Sequence, residues 1–269
     1  MQSTEQTVQS TETKAERKAR KILEKAKKSQ AQYNASATKN YVVCLKWGQK
    51  YSADYVNKLY NMVKRNTTVD YEFVCFTESK RDVNKEIRIE PLPNIPVEGW
   101  WYKPWFVSAE LPLKGNILYL DLDLIVFDNM DKFFTYKPEK DFVIIRDFNR
   151  HHRRGYEKIN SSVFRVHSGA RQIQYANYVN DRVNVTRRLH GDQDWMYKYC
   201  EPWEYWPDEW VQSYKWEMKG RHTLGMVNGR RNFIDQTPPK ILPETSIAVY
   251  HGKPNMDEAD DPWTRQNWY

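Results

Sequence analysis

Cysteine is scarce in this chain: Cys44, Cys75 and Cys200 are the only three in 269 residues, and no two have Cys-x-x-Cys spacing. That excludes a disulfide framework and a zinc ribbon, and fits a reducing compartment. Glycine-rich phosphate loops are missing too. Without a Gly-x-Gly-x-x-Gly or Walker-type signature, neither a Rossmann dinucleotide site nor a P-loop is expected. No apolar run approaches the roughly 18 residues of a membrane span, and the N-terminus lacks the hydrophobic stretch of a signal peptide. The expectation is a cytoplasmic protein with no transmembrane segment. Dense basic stripes are also lacking. The formal charge is +7, but residues 1–36 hold eight Lys/Arg against four Glu, leaving only +3 for the other 233 residues. No nucleic-acid partner is expected from so mild a balance.

What is present suits a single large α/β domain: 40% hydrophobic and 29% charged residues in a chain long enough for a substantial core. Residues 1–36 read as a disordered and helical basic extension. Ser, Thr and Gln dominate residues 1–13, while 14–31 carry helix formers with Glu16–Arg20 and Glu24–Lys28 at i,i+4. From residue 37 to 269 the chain reads as one domain. YVVCLKW, YEFVCFTE, IRIEPL, NILYLDLDLIVF, FVIIRDF, SSVFRVH and SIAVYH have strand character. Helices are expected after Ser52, after Trp100, over ARQIQYANYVNDRV and over DQDWMYKYC. The alternation argues a mostly parallel sheet covered by helices.

The run ILYLDLDLIV raises the chemical question. In a strand, Asp121 and Asp123 share one face while Leu120, Leu122 and Leu124 share the other, so two like charges stand side by side. Burying such a pair requires a cation, a shared proton or an opening to solvent. Two carboxylates one residue apart are hard oxygen ligands for Mn²⁺ or Mg²⁺, and a metal so held can bridge nucleotide phosphates. An isolated pair can equally close a strand and face water. In SIAVYHGKP, His251 ends a strand with Lys253 two residues on: an imidazole for a metal shell and an ammonium for a diphosphate, or a surface His and a solvated Lys. HGDQDW places Asp192, Gln193 and Asp194 at a helix start, where capping and substrate hydroxyls are both plausible partners. NSSV offers Asn160 with two hydroxyls before an apolar strand. GWWYKPW embeds Lys103 among aromatics whose commoner use is core packing, and RHHRR is a basic loop suited to solvent or, more weakly, to phosphate.

Taken in order, YVVCLKWGQKYSADYVNKLY, WWYKPW, YLDLDLIV, NSSVFRV, GDQDW and HGKP resemble the GT-A glycosyltransferases, close in pattern to family 8 and to small phage-type or bacterial relatives, over roughly residues 41 to 254. The resemblance implies a Rossmann-like GT-A fold and transfer of a hexose from a nucleotide-sugar, a UDP-sugar by preference, to a hydroxyl acceptor that is a glycan, a lipid-linked saccharide or a protein. It implies Mn²⁺ or Mg²⁺ held by Asp121, Asp123 and His251. Lys253 would contact the diphosphate, and Lys103 would stand near the donor phosphates and sugar. Cys44, Lys46 and Tyr51 would line the nucleotide pocket, Tyr51 stacking on the base. Asn160 and Asp192 would face the sugar and acceptor, with Gln193 and Asp192 the catalytic pair and Gln193 next to the anomeric carbon. Two departures stand out: the His-containing motif is compressed to HGKP, and Ser162 takes a position where glycine is usual. Competing readings are a haloacid-dehalogenase-like phosphatase, in which Asp121 is the nucleophile and the Gly191 to Asp194 stretch holds Mg²⁺, and a carbohydrate-binding protein without turnover.

Overall fold

The structure is a computed structural model that describes residues 13–32, 39–151, 153–220, 222–227, 230–234 and 238–269. The expectation for residues 1–12 and 33–36 lies outside the described residues. Helix α1 (Lys14–Gln32) lies alongside a later helix, and the sheet begins at β1 (Asn40–Lys46). There follow α2 (Ala53–Asn66), β2 (Glu72–Thr77), β3 (Arg88–Glu90), a 3-10 segment over Gly99–Val107, β4 (Asn116–Leu120), β5 (Leu124–Val126), α3 (Asp131–Thr135) and β6 (Phe142–Arg146). The second half contains β7 (Ile159–His167), α4 (Gln172–Arg188), against which α1 rests, α5 (Asp192–Tyr199), β8 (Glu204–Tyr205), β9 (Val211–Ser213), β10 (His222–Val227), β11 (Arg230–Ile234), β12 (Ile247–Val249) and α6 (Pro262–Asn267).

Seven strands form the main sheet in the order β3-β2-β1-β4-β7-β6-β8. All neighbours are parallel except at β7, which runs antiparallel to both β4 and β6. A smaller sheet, β5-β12-β9, and a β10-β11 hairpin complete the described strands. The period-two alternation divides the core into two layers. Val42 and Cys44 of β1 and Leu118 and Leu120 of β4 pack with α2 and the small sheet, whereas Val43, Leu45, Ile117 and Tyr119 pack with the 3-10 segment, α4 and α5. Three of the eleven tryptophans are buried in the core, Trp105, Trp195 and Trp206. Gly115 lets β1 and β4 start side by side, since a Cβ there would lie 2.1 Å from the Lys39 carbonyl oxygen.

Two sequence expectations need correction. NILYLDLDLIVF is not one strand: β4 ends at Leu120, β5 starts at Leu124 in the other sheet, and Asp121-Leu122-Asp123 is the crossing between them. Leu122 is buried while the two carboxylates are half-buried, so the chain leaves the sheet where charge would otherwise enter its core. The segment after Trp100 forms a 3-10 helix with Pro104 inside it rather than an α-helix; proline lacks the N–H that an α-helical interior needs.

β7 carries an internal cation. Arg165 is fully buried, and its guanidinium donates to the carbonyls of Phe133, Phe134, Tyr136, Lys137 and Lys140, at 2.8 to 3.3 Å. These are the groups around the C-terminal end of α3, where unpaired carbonyls collect. Burial lowers the guanidinium pKa to about 10.

Candidate active site

Beyond the carboxyl ends of β1 and β4 lies a cavity of about 260 Å³, the place where open α/β sheets bind ligands. Its floor is the sheet crossing with Asp121, Leu122 and Asp123. One wall comes from the loop after β1 (Trp47, Lys50, Tyr51), another from Trp100 and Lys103 of the 3-10 segment, and the third from Ser161, Ser162, Asp192 and Gln193. The two serines reach it because β7 bulges: adjacent Ile144 and Ile145 of β6 face Phe164 and Asn160, four residues apart.

Lys103 is the electrostatic centre. Its side chain is 7% exposed, and Nζ lies 2.8 Å from Asp121 Oδ1, 3.3 Å from the Ser161 carbonyl and 3.6 Å from Asp192 Oδ2. Burial opposes its charge, but Asp121 and Asp192 more than compensate and the ammonium pKa is raised. Tyr119 Oη donates to Asp121 Oδ1 at 2.8 Å, and Tyr51 Oη donates to Asp123 Oδ2 at 3.2 Å. Burial together with the facing carboxylates raises both phenols. Burial, reinforced by the Asp121 charge, pushes the Asp123 carboxyl above its ordinary range, and burial does the same to Asp192. Asp192 Oδ2 is buried without a hydrogen-bond partner. Three carboxylates face a cavity that also holds the ammoniums of Lys103 and Lys50, so negative charge is in excess, and the Asp121 and Asp123 pair offers the hard oxygen donors a divalent cation takes.

Gln193 is fixed rather than free. Its Nε2 donates to Asp147 Oδ2, and its Oε1 accepts from the Ser161 N–H at 3.4 Å. Asp147 is 3% exposed and also accepts from the Asn149 backbone and side chain at 2.7 and 2.8 Å. Sequence reading passed over Asp147, although FVIIRDF carries the same signal as the DxD run: a carboxylate closing an apolar strand. Gly191 precedes α5 with Trp100 pressed against it; a Cβ there would lie 3.2 Å from the indole nitrogen. Asp194 reaches back to the His190 N–H at 3.3 Å and so tightens the turn that leads into α5.

Several expected ligands stand elsewhere. Cys44 is fully buried opposite Cys75; strand alternation turns it into the core and gives the cavity Leu45 instead. Lys46 donates to the Gly48 carbonyl at 3.3 Å and does not line the cavity, whereas Lys50 does. Tyr51 lines it, but its hydroxyl serves Asp123 and the Lys50 ammonium sits 4.6 Å over its ring. Asn160 turns its Oδ1 to the Ser162 N–H at 2.9 Å and leaves the cavity to the serines. Lys253 is exposed and ion-paired with Glu258. Pairing of β12 with β5 brings the Tyr250 N–H to the Asp123 carbonyl at 2.8 Å, so His251 follows directly beside the DxD crossing. Its ring, however, lies 2.6 Å from Ser213 Oγ through Nε2 and stacks on Phe148 at 5.2 Å. The expected Asp121, Asp123 and His251 triad is therefore not assembled, and among the described residues no three His, Cys, Asp or Glu side chains gather to hold a metal. The basic loop is structural where described: Arg150 and His151 both pair with Glu217, at 3.2 and 2.9 Å.

The model of a family described as nucleotide-diphospho-sugar transferase matches residues 99–223, a span that includes Lys103, the DxD crossing and Asp192-Gln193 but not His251. No curated protein matches the chain by sequence. Among solved structures, an active-site mutant of LgtC superposes with a TM-score of 0.56 at 12% identity, covering 84% of this chain and 93% of that one. The galactosyltransferase LgtC with donor and acceptor sugar analogs gives 0.50 at 13%, covering 82% and 90%. The bifunctional glycosyltransferase WbbM in its apo form gives 0.50 at 10%, covering 86% of this chain and 51% of that one. These likenesses assign the GT-A fold. The phosphatase reading finds no support in them.

Proposed function

We propose that this chain, a glycosyltransferase of GT-A fold, moves a sugar from a nucleoside-diphosphate donor, a UDP-sugar by its resemblance, to a hydroxyl acceptor with the help of Mn²⁺ or Mg²⁺. One observation carries the reading: Asp121, Asp123 and Asp192 converge on a single cavity in which Lys103 is the only buried cation among the described residues lining it. Asp121 and Asp123 would hold the metal, and His251 would join them once its ring leaves Ser213. The bound dication would supply positive charge where the diphosphate leaves.

The remaining work falls to the chain's own side chains. Lys103 fixes the Asp121 and Asp192 carboxylates and offers an ammonium to the donor. Asp192 Oδ2, ion-paired with Lys103 but without a hydrogen-bond partner, accepts from a hydroxyl of the sugar and orients it. Gln193, clamped between Asp147 and the Ser161 N–H, presents its amide to the reacting face without adding a charge. Tyr51 and Tyr119 steady the two DxD carboxylates through one hydrogen bond each. Trp47 and Trp100 give the cavity its apolar walls and help exclude water.

The test is release of nucleoside diphosphate from a panel of UDP-, GDP- and CDP-sugars with Mn²⁺. One donor should be turned over by the wild type and none by Asp121→Ala. Turnover of no donor, or turnover that survives Asp121→Ala, would overturn the proposal.

A further inference from the structure

A second concave surface, of about 510 Å³, lies past the far end of α5 and is walled by Tyr197, Trp203 and Tyr205, with Glu157 and Glu201 at its rim. It shares no lining residue with the candidate active site, but the same helix serves both. Tyr197 follows Gln193 by four residues on α5, which places both on one helix face about 6 Å apart along the axis. Lys158 spans the interval, its Nζ 3.5 Å from the Asp194 carboxylate and 5.6 Å above the Tyr197 ring.

The aromatic wall is held in place. Ring centroids of Tyr197 and Trp203 are 5.6 Å apart, and those of Trp203 and Tyr205 are 6.4 Å apart. Tyr205 Oη donates to the Glu157 carbonyl at 3.2 Å, and the Arg146 guanidinium packs 4.1 Å over the Tyr205 ring while pairing with Glu157. Tyr197 nonetheless remains 37% exposed, so its ring is open to a ligand. Flat rings flanked by carboxylates and by neutralising Lys158 and Arg146 suit a neutral ligand with apolar ring faces and many hydroxyls. Phosphate-bearing polymers would meet Glu157 and Glu201.

We infer that this surface is an acceptor subsite, binding sugar units of an oligosaccharide acceptor beyond the one that receives the transferred sugar. The inference rests on the transferase reading for calling that oligosaccharide an acceptor. Calorimetry with no nucleotide present tests it directly, using gluco-, manno-, galacto-, xylo- and chito-oligosaccharides from disaccharide to hexasaccharide. One series should bind wild type with affinity rising with length. Tyr197→Ala and Trp203→Ala should each weaken that binding roughly tenfold, and Tyr197→Phe should retain it. If Trp203→Ala fails to fold, the half-exposed Tyr197 still decides the matter. Binding of no series, or binding unchanged in a folded Tyr197→Ala, overturns the inference. Nucleoside-diphosphate binding measured in parallel should be equal in wild type and Tyr197→Ala. Its absence from the wild type would instead remove the transferase reading and with it the acceptor role.

Discussion

Replacing Lys103 by Met probes the electrostatic core of the site. The substitution keeps most of the apolar stem but removes the ammonium 2.8 Å from Asp121 and 3.6 Å from Asp192. All three side chains are largely shielded, with relative exposures of 7% for Lys103, 21% for Asp121 and 7% for Asp192. Removing one partner of a buried ion pair costs about 3–5 kcal/mol, because the other charge stays behind. At about 2–4 °C per kcal/mol for a chain of this size, the metal-free thermal midpoint should fall by roughly 6–20 °C at neutral pH. The loss should also carry an electrostatic signature. Without the ammonium that opposes it, the upward push of burial on the Asp192 carboxyl grows. A carboxyl raised in the folded state is penalised while ionised and relieved once it takes up a proton, so the gap to wild type should narrow as pH falls from neutral towards the ordinary carboxylate range. Mn²⁺ should narrow it as well. Calorimetric melts across that range are the assay. An unchanged midpoint, or a loss independent of both pH and metal, would show that Lys103 is a packing residue and refute the electrostatic argument.

Asp123→Asn should stabilise the metal-free protein at neutral pH by about 0.5–2 kcal/mol, the usual return on removing a functional strain, while weakening metal binding. Because the native carboxyl is raised by burial and by Asp121, that gain should disappear on acidification, when wild-type Asp123 takes up its own proton. Arg165→Leu leaves five carbonyls, two of them in buried contacts and three in part-buried ones, without their shared donor and should cost roughly 2–4 kcal/mol, read from the shift in urea midpoint. Asp147→Asn should lower turnover about tenfold to a hundredfold by loosening Gln193, with nucleotide affinity unchanged in a binding titration.

The alternation of strands and helices made the α/β sheet legible, because continuous apolar runs such as YVVCLK and FVIIR are buried on both faces. Asp121, Asp123, Lys103, Asp192 and Gln193 were legible because each is a polar group in a setting that penalises polar groups. Side-chain direction at the cavity rim was not legible. Lys46 and Lys50 are equivalent in sequence terms; a turn at Gly48, with its φ of +56°, decides which one faces the cavity. Cys44 lost its place to Leu45 by one step of strand alternation, and the β7 bulge exchanged Asn160 for its neighbours. His251 was placed next to the DxD crossing by the pairing of β12 with β5, a contact between residues more than a hundred positions apart that no local pattern encodes. The hydrogen bond to Ser213 that turns its ring away is equally non-local.

Binding of nucleoside diphosphates to wild type and Asp123→Ala, titrated with and without Mn²⁺, tests most directly whether the carboxylate cavity exists to hold a metal and a diphosphate. The account predicts that one nucleoside diphosphate binds wild type only when Mn²⁺ is present and does not bind Asp123→Ala under either condition. Equal binding with and without the metal, or binding that survives in Asp123→Ala, would contradict it.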